Sequence, residues 1–148
     1  MRIKNSSSSR DIEQNRSLNI SVKPGSSPAF AQELYNKQSE FSSYEQETDD
    51  LRKEIEEAGD KLDKEPNLAN FNKFRELLSR MTKRVSNEAF RLEKIGGTPQ
   101  NPRYFEIITV INAESERLYN LLIQGQRDRL AITAKVIGIK GLVVNLIT

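Results

Sequence analysis

The chain has no cysteine, no histidine and no tryptophan. Without cysteine there is no disulfide framework, no zinc-thiolate site and no thiol nucleophile, and the redox compartment stays open. Without histidine the commonest general base and the commonest metal ligand are both missing. Helical bundles that hold two metal ions pair carboxylates with Glu-x-x-His, so that design is excluded too. Proline (five) and glycine (seven) are scarce and fall mostly outside the periodic segments, where helices tolerate them. Neither a Walker loop nor a GxGxxG is present. The opening Met1-Arg2-Ile3-Lys4-Asn5-Ser6 lacks the apolar stretch of a signal peptide.

What the sequence does have is an apolar stripe at steps of three and four on three segments. Leu51, Ile55, Ala58 and Leu62 carry the first. Phe71, Phe74, Leu78, Met81, Val85 and Leu92 carry the second. Ile107, Ile111, Leu118, Leu121, Ile132, Val136, Ile139, Val143 and Leu146 carry the third, with gaps. Such steps place the side chains on one face of a helix. The fold class is all-α: an antiparallel bundle of about four to five amphipathic helices, with a flexible N-terminal arm.

Net charge is +2, and its distribution says more than its sum. Residues 28–65 carry five Lys/Arg against twelve Asp/Glu, whereas residues 66–96 carry seven against three. An acidic helical region is thus followed directly by a basic one. Residues 1–27 are rich in Ser, Asn and Arg, and their few aliphatic side chains lack helical spacing. Burial there cannot offset ordering entropy, so 1–27 reads as the arm and 28–148 as a single bundle domain.

Local signals divide the bundle. Ser27 can cap a helix whose first turn holds Pro28, with Phe30, Leu34 and Phe41 as its buried side chains. Ser42-Ser43 weakens that helix, which either breaks there or runs on, and Thr48, Asp49 and Asp50 offer a second start before an acidic amphipath ending near Lys64. Gly59 inside it costs about 1 kcal/mol against Ala and marks close approach of a neighbour. Glu65-Pro66-Asn67 is a turn, with Asn67 capping a helix that reaches Ile95 and stops at Gly96-Gly97. Asn101 and Pro102 start the last segment, which Gln124-Gly125-Gln126 kinks or divides. Its end, Val136 to Val144, is rich in β-branched residues, yet the apolar steps stay in helical register from Ile132 to Leu146. Leu130 to Thr148 is also the one candidate membrane segment. Lys135 and Lys140 lie inside it, each costing about 2.5–3.5 kcal/mol near a bilayer centre. A buried helix is the expectation, with no membrane contact.

Several constellations have two readings. With the Phe71 row buried, Lys73, Arg80, Arg84, Arg91 and Lys94 fall on one flank and Phe90 lies opposite the seam. This set is the candidate binding surface. It can be an anion-binding stripe for nucleic acid, or it can face Glu54, Glu56, Glu57 and Asp60 on the preceding helix. No aromatic residues interleave with the basic ones, as single-strand platforms need. Phe90 marks either a partner surface or a contact with the N-terminal helix. Gly138-Ile139-Lys140-Gly141 has the form of a GxxG nucleotide clamp, but the flanking heptad reads it as two small positions for close helix packing. Glu114, between Ile111 and Leu118, is either a catalytic or metal-binding carboxylate, or it lies at a solvated edge or pairs with Arg75, Arg84 or Arg91. No spacing singles out a catalytic residue, a metal site or a cofactor.

Glu54 to Leu62 followed by Leu68 to Leu78 resembles the central block of the YaaR-like bacterial proteins, and the ending Lys135 to Leu146 is similar to theirs. The resemblance spans roughly residues 28–148. It implies a small, soluble, cytoplasmic helical protein, and it carries over no reaction and no catalytic residue. The family pattern places acidic residues about where Gly138 and Asn145 stand, so any role of those acids is lost here. The functional expectation is a non-enzymatic interaction or scaffold protein with a protein partner or a second copy of itself. The alternative is a nucleic-acid accessory protein using the basic flank and arm.

Overall fold

A computed structural model describes residues 28–124 and 128–148. Four helices follow in order: α1 (Pro28–Lys64), α2 (Leu68–Lys94), α3 (Tyr104–Ile123) and α4 (Arg129–Ile147). The expected arm, 1–27, and its cap Ser27 lie outside the described residues. So does Gly125-Gln126; of the kink or division left open there, the division is what the structure has, because α3 and α4 are separate helices.

The chain divides into two units, residues 1–44 and 45–148. The described part of the first is the N-terminal stretch of α1. There Phe30, Leu34 and Phe41, expected to be buried, are exposed, as is Tyr35. Their spacing is helical, but an apolar stripe becomes a core only where another element covers it. The helix runs through Ser42-Ser43 without a break, so Thr48 caps nothing. Its hydroxyl donates to the Glu45 carbonyl at 3.1 Å, and the Asp49 carboxylate pairs with Arg52 and Lys53. Such back-bonding lets a threonine sit inside a helix without an orphaned hydroxyl.

The second unit holds the bundle. The Glu65–Asn67 turn folds α2 back on α1. Asn67 Oδ1 accepts the Asn70 N–H at 2.8 Å, and Asn70 Nδ2 donates to the Glu65 carbonyl at 2.8 Å. α2 ends as its glycines predict. Gly96 adopts φ 82°, Gly97 N–H donates to Leu92 O and Gly96 N–H to Glu93 O, which is the Schellman pairing. α3 begins two residues later than expected. Asn101 does not cap it; its Oδ1 accepts the Arg103 N–H, while its Nδ2 donates to the Asn145 carbonyl at 2.7 Å. That carbonyl lies in the last turn of α4, where no backbone N–H follows to bond it; the Thr148 hydroxyl approaches it at 3.4 Å. Asp128 caps α4, accepting the Leu130 and Ala131 N–H groups.

Cross-helix contacts fix the directions. Arg84 meets Glu47, so α1 and α2 are antiparallel. Lys135 meets Glu114, so α3 and α4 are antiparallel. Asp63 accepts from Thr133 and Asp60 pairs with Lys140, so α1 and α4 are antiparallel as well. The result is an up-down-up-down bundle. Its core is the expected stripe almost residue for residue: Leu51, Ile55 and Leu62 from α1, Phe71, Phe74, Leu78, Met81 and Val85 from α2, Ile111 and Leu118 from α3, and Ile132, Val136, Ile139, Val143 and Leu146 from α4. Leu92, Ile107 and Leu121 are half-buried at its ends. Leu77 and Ala89, one position beside the α2 seam, are also buried. Gly59 is the close approach the sequence marked: a Cβ there would stand 3.1 Å from Phe74 and 3.2 Å from Val136.

Candidate interaction surfaces

The basic flank of α2 does not act as one row. Lys73 and Arg80 are exposed. Arg84 and Arg91 converge instead on Glu88, which is only 5% exposed. Arg91 grips it with two bonds, Nε to Oε1 at 3.1 Å and an η nitrogen to Oε2 at 2.8 Å. Arg84 lies 3.8 Å from the same carboxylate and bonds Glu47 on α1 at 2.8 Å. Glu88 sits on the α2 seam between Val85 and Leu92. Burying a carboxylate there costs solvation that the hydrogen bonds and charges of the two arginines offset. Two of the five cations of the expected anion-binding row are therefore engaged by carboxylates of the bundle. At the end of α2, the Lys94 ammonium lies 5.0 Å over the exposed ring of Phe90, a cation–π contact at the surface.

The acidic face of α1 has a different partner from the one expected. Glu56 and Asp60 do not pair with the α2 flank; they hold Lys140 of α4, at 3.4 and 2.6 Å. Burial of the Lys140 ammonium pulls its pKa down. The Asp60 hydrogen bond and the charges of Asp60 and Glu56 outweigh that and raise it. The same contact lowers Asp60. Glu114 likewise does not meet Arg75, Arg84 or Arg91. Its carboxylate bonds Lys135 of α4 at 2.9 Å and Arg117 of its own helix, and the Lys135 bond first, then Arg117, hold it below the ordinary carboxylate range. Asp128, the other acid on that face, is the α4 cap.

With both lysines of α4 engaged by neighbouring helices, the helix's outward face beyond Arg129 in its first turn carries no charge. Leu130 (82% exposed), Ile137 (62%) and Val144 (40%) stand on it, together with Ala134, Gly138, Gly141 and Thr148. Gly138 and Gly141 were expected to admit a neighbouring helix. Instead a Cβ at either would meet nothing within 4 Å. The packing glycine of the bundle is Gly59, and the two in α4 face outward. This surface was readable as a second heptad stripe, Leu130-Ala134-Ile137-Gly141-Val144, offset from the core stripe. Its small members concealed it. α4 is also the one helix among the described residues long and apolar enough to cross a membrane by length and composition. An open depression beside its C-terminal end is lined by Asn101, Arg103, Glu106, Val110 and Leu142, with Arg103 and Glu106 paired to each other at 3.0 Å.

Comparison with known families decides the relationship. The family model described as "Protein of unknown function (DUF327)" matches residues 3–147. The chain belongs to this family. DUF327 is the YaaR-like family, so the resemblance carried by the central block and the C-terminal ending holds, and the match extends it through most of the first 27 residues. No curated protein and no solved structure matches the chain. Membership in DUF327 assigns no reaction and no site residue.

Proposed function

We propose that this DUF327 member is a non-enzymatic cytoplasmic interaction protein that docks through the outward face of α4. One observation carries the reading. A helix that is apolar all round belongs inside something, either a core or a bilayer. α4 buries Ile132, Val136, Ile139, Val143 and Leu146 in its own bundle, yet it leaves Leu130, Ile137 and Val144 in water. A contiguous exposed strip of this kind marks a surface that is covered in use. The lysines that would make it an interfacial membrane helix are tied to Glu114 and to Asp60 and Glu56.

The nucleic-acid alternative loses support at the α2 flank, because Arg84 and Arg91 are held by Glu47 and Glu88. Lys73, Arg80 and Lys94 remain, a short row for a phosphate backbone.

A photo-crosslinking amino acid placed at Ile137, and separately at the exposed Glu57 on α1, tests the docking reading in the native cell. A discrete adduct from position 137 and none from 57 is the expected result. No adduct from 137 overturns it.

A further inference from the structure

The outward stripe of α4 is patterned as well as apolar. Steps of four and three link Leu130, Ala134, Ile137, Gly141, Val144 and Thr148, all exposed. Large residues (Leu130, Ile137, Val144) occupy one of the two heptad core positions, and small ones (Ala134, Gly141, Thr148) occupy the other. In an antiparallel helix pair these two positions face each other. When α4 meets a second α4 running the opposite way, Leu130 faces Thr148 of the second copy, Ala134 faces its Val144, and Ile137 faces its Gly141. Every large side chain lands on a small one. A parallel pair would set Ile137 against Ile137 and Gly141 against Gly141, a clash of bulk followed by a gap.

We infer that the docking partner of this face is a second copy of the chain, joined to the first through an antiparallel α4–α4 seam. The inference rests on the docking reading of α4 given above. Isologous contact is the commonest way for a chain to cover a self-complementary patch.

Charge fits as well as size does. The seam itself holds no charged side chain, so neither copy desolvates an ion along it. On one border, Ala131, Gly138 and Asn145 are small and uncharged and let the helices approach. On the other, the two-fold axis passes beside Ile139 and brings Lys140 opposite its twin. In each copy that ammonium is already paired with the Asp60 and Glu56 carboxylates of its own chain, which offsets the repulsion between the two lysines. A single pair of nineteen-residue helices forms a seam about 28 Å long. That lies at the low end of stable interfaces, which points to a dimer that dissociates in the micromolar range.

Sedimentation equilibrium of the full chain, from about 1 μM to 1 mM, reads the association. A reversible dimer is expected. Ile137→Lys should weaken it by more than ~100-fold with helicity unchanged, since the side chain is solvent-facing in the single chain. Ala134→Glu, a good helix former at an exposed position, is a second disrupting variant should the first fold poorly.

The register is read with cysteine variants, each of which carries the only thiol in the molecule. Gly138→Cys should join to its twin through a short bismaleimide, because residue 138 lies beside the axis. Leu130→Cys should not, because its twin is about 27 Å away along the seam.

A chain that stays monomeric at 1 mM overturns the inference, and so does a monomer that floats with phosphatidylcholine vesicles. A dimer untouched by both disrupting variants, or one that cross-links through Leu130→Cys, overturns it too. The cellular cross-link separates this inference from the reading beneath it. An adduct of twice the chain mass from position 137 supports both. An adduct of another mass keeps the docking face and overturns self-association.

Discussion

Gly59 lies directly beneath Lys140: a Cβ on Gly59 would stand 2.5 Å from Lys140 Cε. The missing side chain lets α1 close against α4, and the lysine then crosses the gap to reach Asp60 at 2.6 Å. Packing and charge are thus joined at one point of the bundle.

The first prediction contrasts two glycines. Gly59→Ala gains about 1 kcal/mol of helix propensity. Lys140 can swing away, but Phe74 and Val136, at 3.1 and 3.2 Å from the new Cβ, sit in the packed core. Overpacking of this kind costs about 1–3 kcal/mol, so the net effect should be destabilising. Gly138→Ala meets nothing and should stabilise the single chain by roughly 0.5–1 kcal/mol. Urea unfolding at a concentration where the chain is monomeric measures both. If Gly59→Ala is the more stable of the two, the close approach is wrong.

The second prediction separates the cations of α2. Arg80 is exposed, and Arg80→Ala should change stability by less than about 0.5 kcal/mol. Arg91→Ala removes both short bonds to a buried carboxylate and should cost about 1–3 kcal/mol. Replacing the cluster's centre instead of its rim has a different outcome. Glu88→Leu continues the seam between Val85 and Leu92, and it should be neutral or stabilising. Thermal melts of the three variants give the order directly.

These contrasts show what sequence alone can resolve. The core was legible because Phe71, Phe74, Leu78, Met81 and Val85 repeat at an interval that only a helix satisfies. The turn at Asn67 and the stop at Gly96 follow from local chemistry, a side-chain acceptor and a positive φ. Ion-pair partners were not legible. Glu56 and Asp60 are acidic on any reading, but that they meet Lys140 and not Arg80 depends on which helix lies beside α1, and periodicity does not specify neighbours. Phe30, Leu34 and Phe41 show the same limit: spacing marks a face fit for burial without saying that anything covers it. Asn101 shows another. A capping residue followed by proline is a helix-start signal, yet the Asn145 carbonyl, distant in sequence, competes for its amide.

The third prediction concerns the loop that Asn101 ties down. Asn101→Ala removes the 2.7 Å bond to the Asn145 carbonyl at the end of α4 and should cost about 1 kcal/mol. The loss should be local. Amide exchange at Val143 and Leu146 should quicken, while Phe74 and Met81 in the middle of α2 keep their protection. Uniform acceleration across the bundle would mean that the bond supports the whole fold and not one helix end.

The last prediction follows from the carboxylates. Lys135 and Arg117 hold Glu114 below its ordinary value of 4.5, and Lys140 holds Asp60 below 3.8. A group whose folded value is depressed contributes stability above its unfolded value and loses it as pH falls through the folded one. The bundle should therefore weaken on acidification below about pH 4.5. Glu114→Gln should cost about 1 kcal/mol at neutral pH, and that deficit should vanish in acid, where wild type loses the same charge. Lys140 works in the opposite sense. Its raised value makes its contribution complete below 10.5 and lost only as pH rises through the folded value. Stability should thus hold flat from neutral pH to about pH 9 as far as this contact is concerned. Urea midpoints for wild type and Glu114→Gln across that range decide the matter. A Glu114→Gln deficit that persists unchanged at about pH 2 would show that the residue acts through packing and not through its charge.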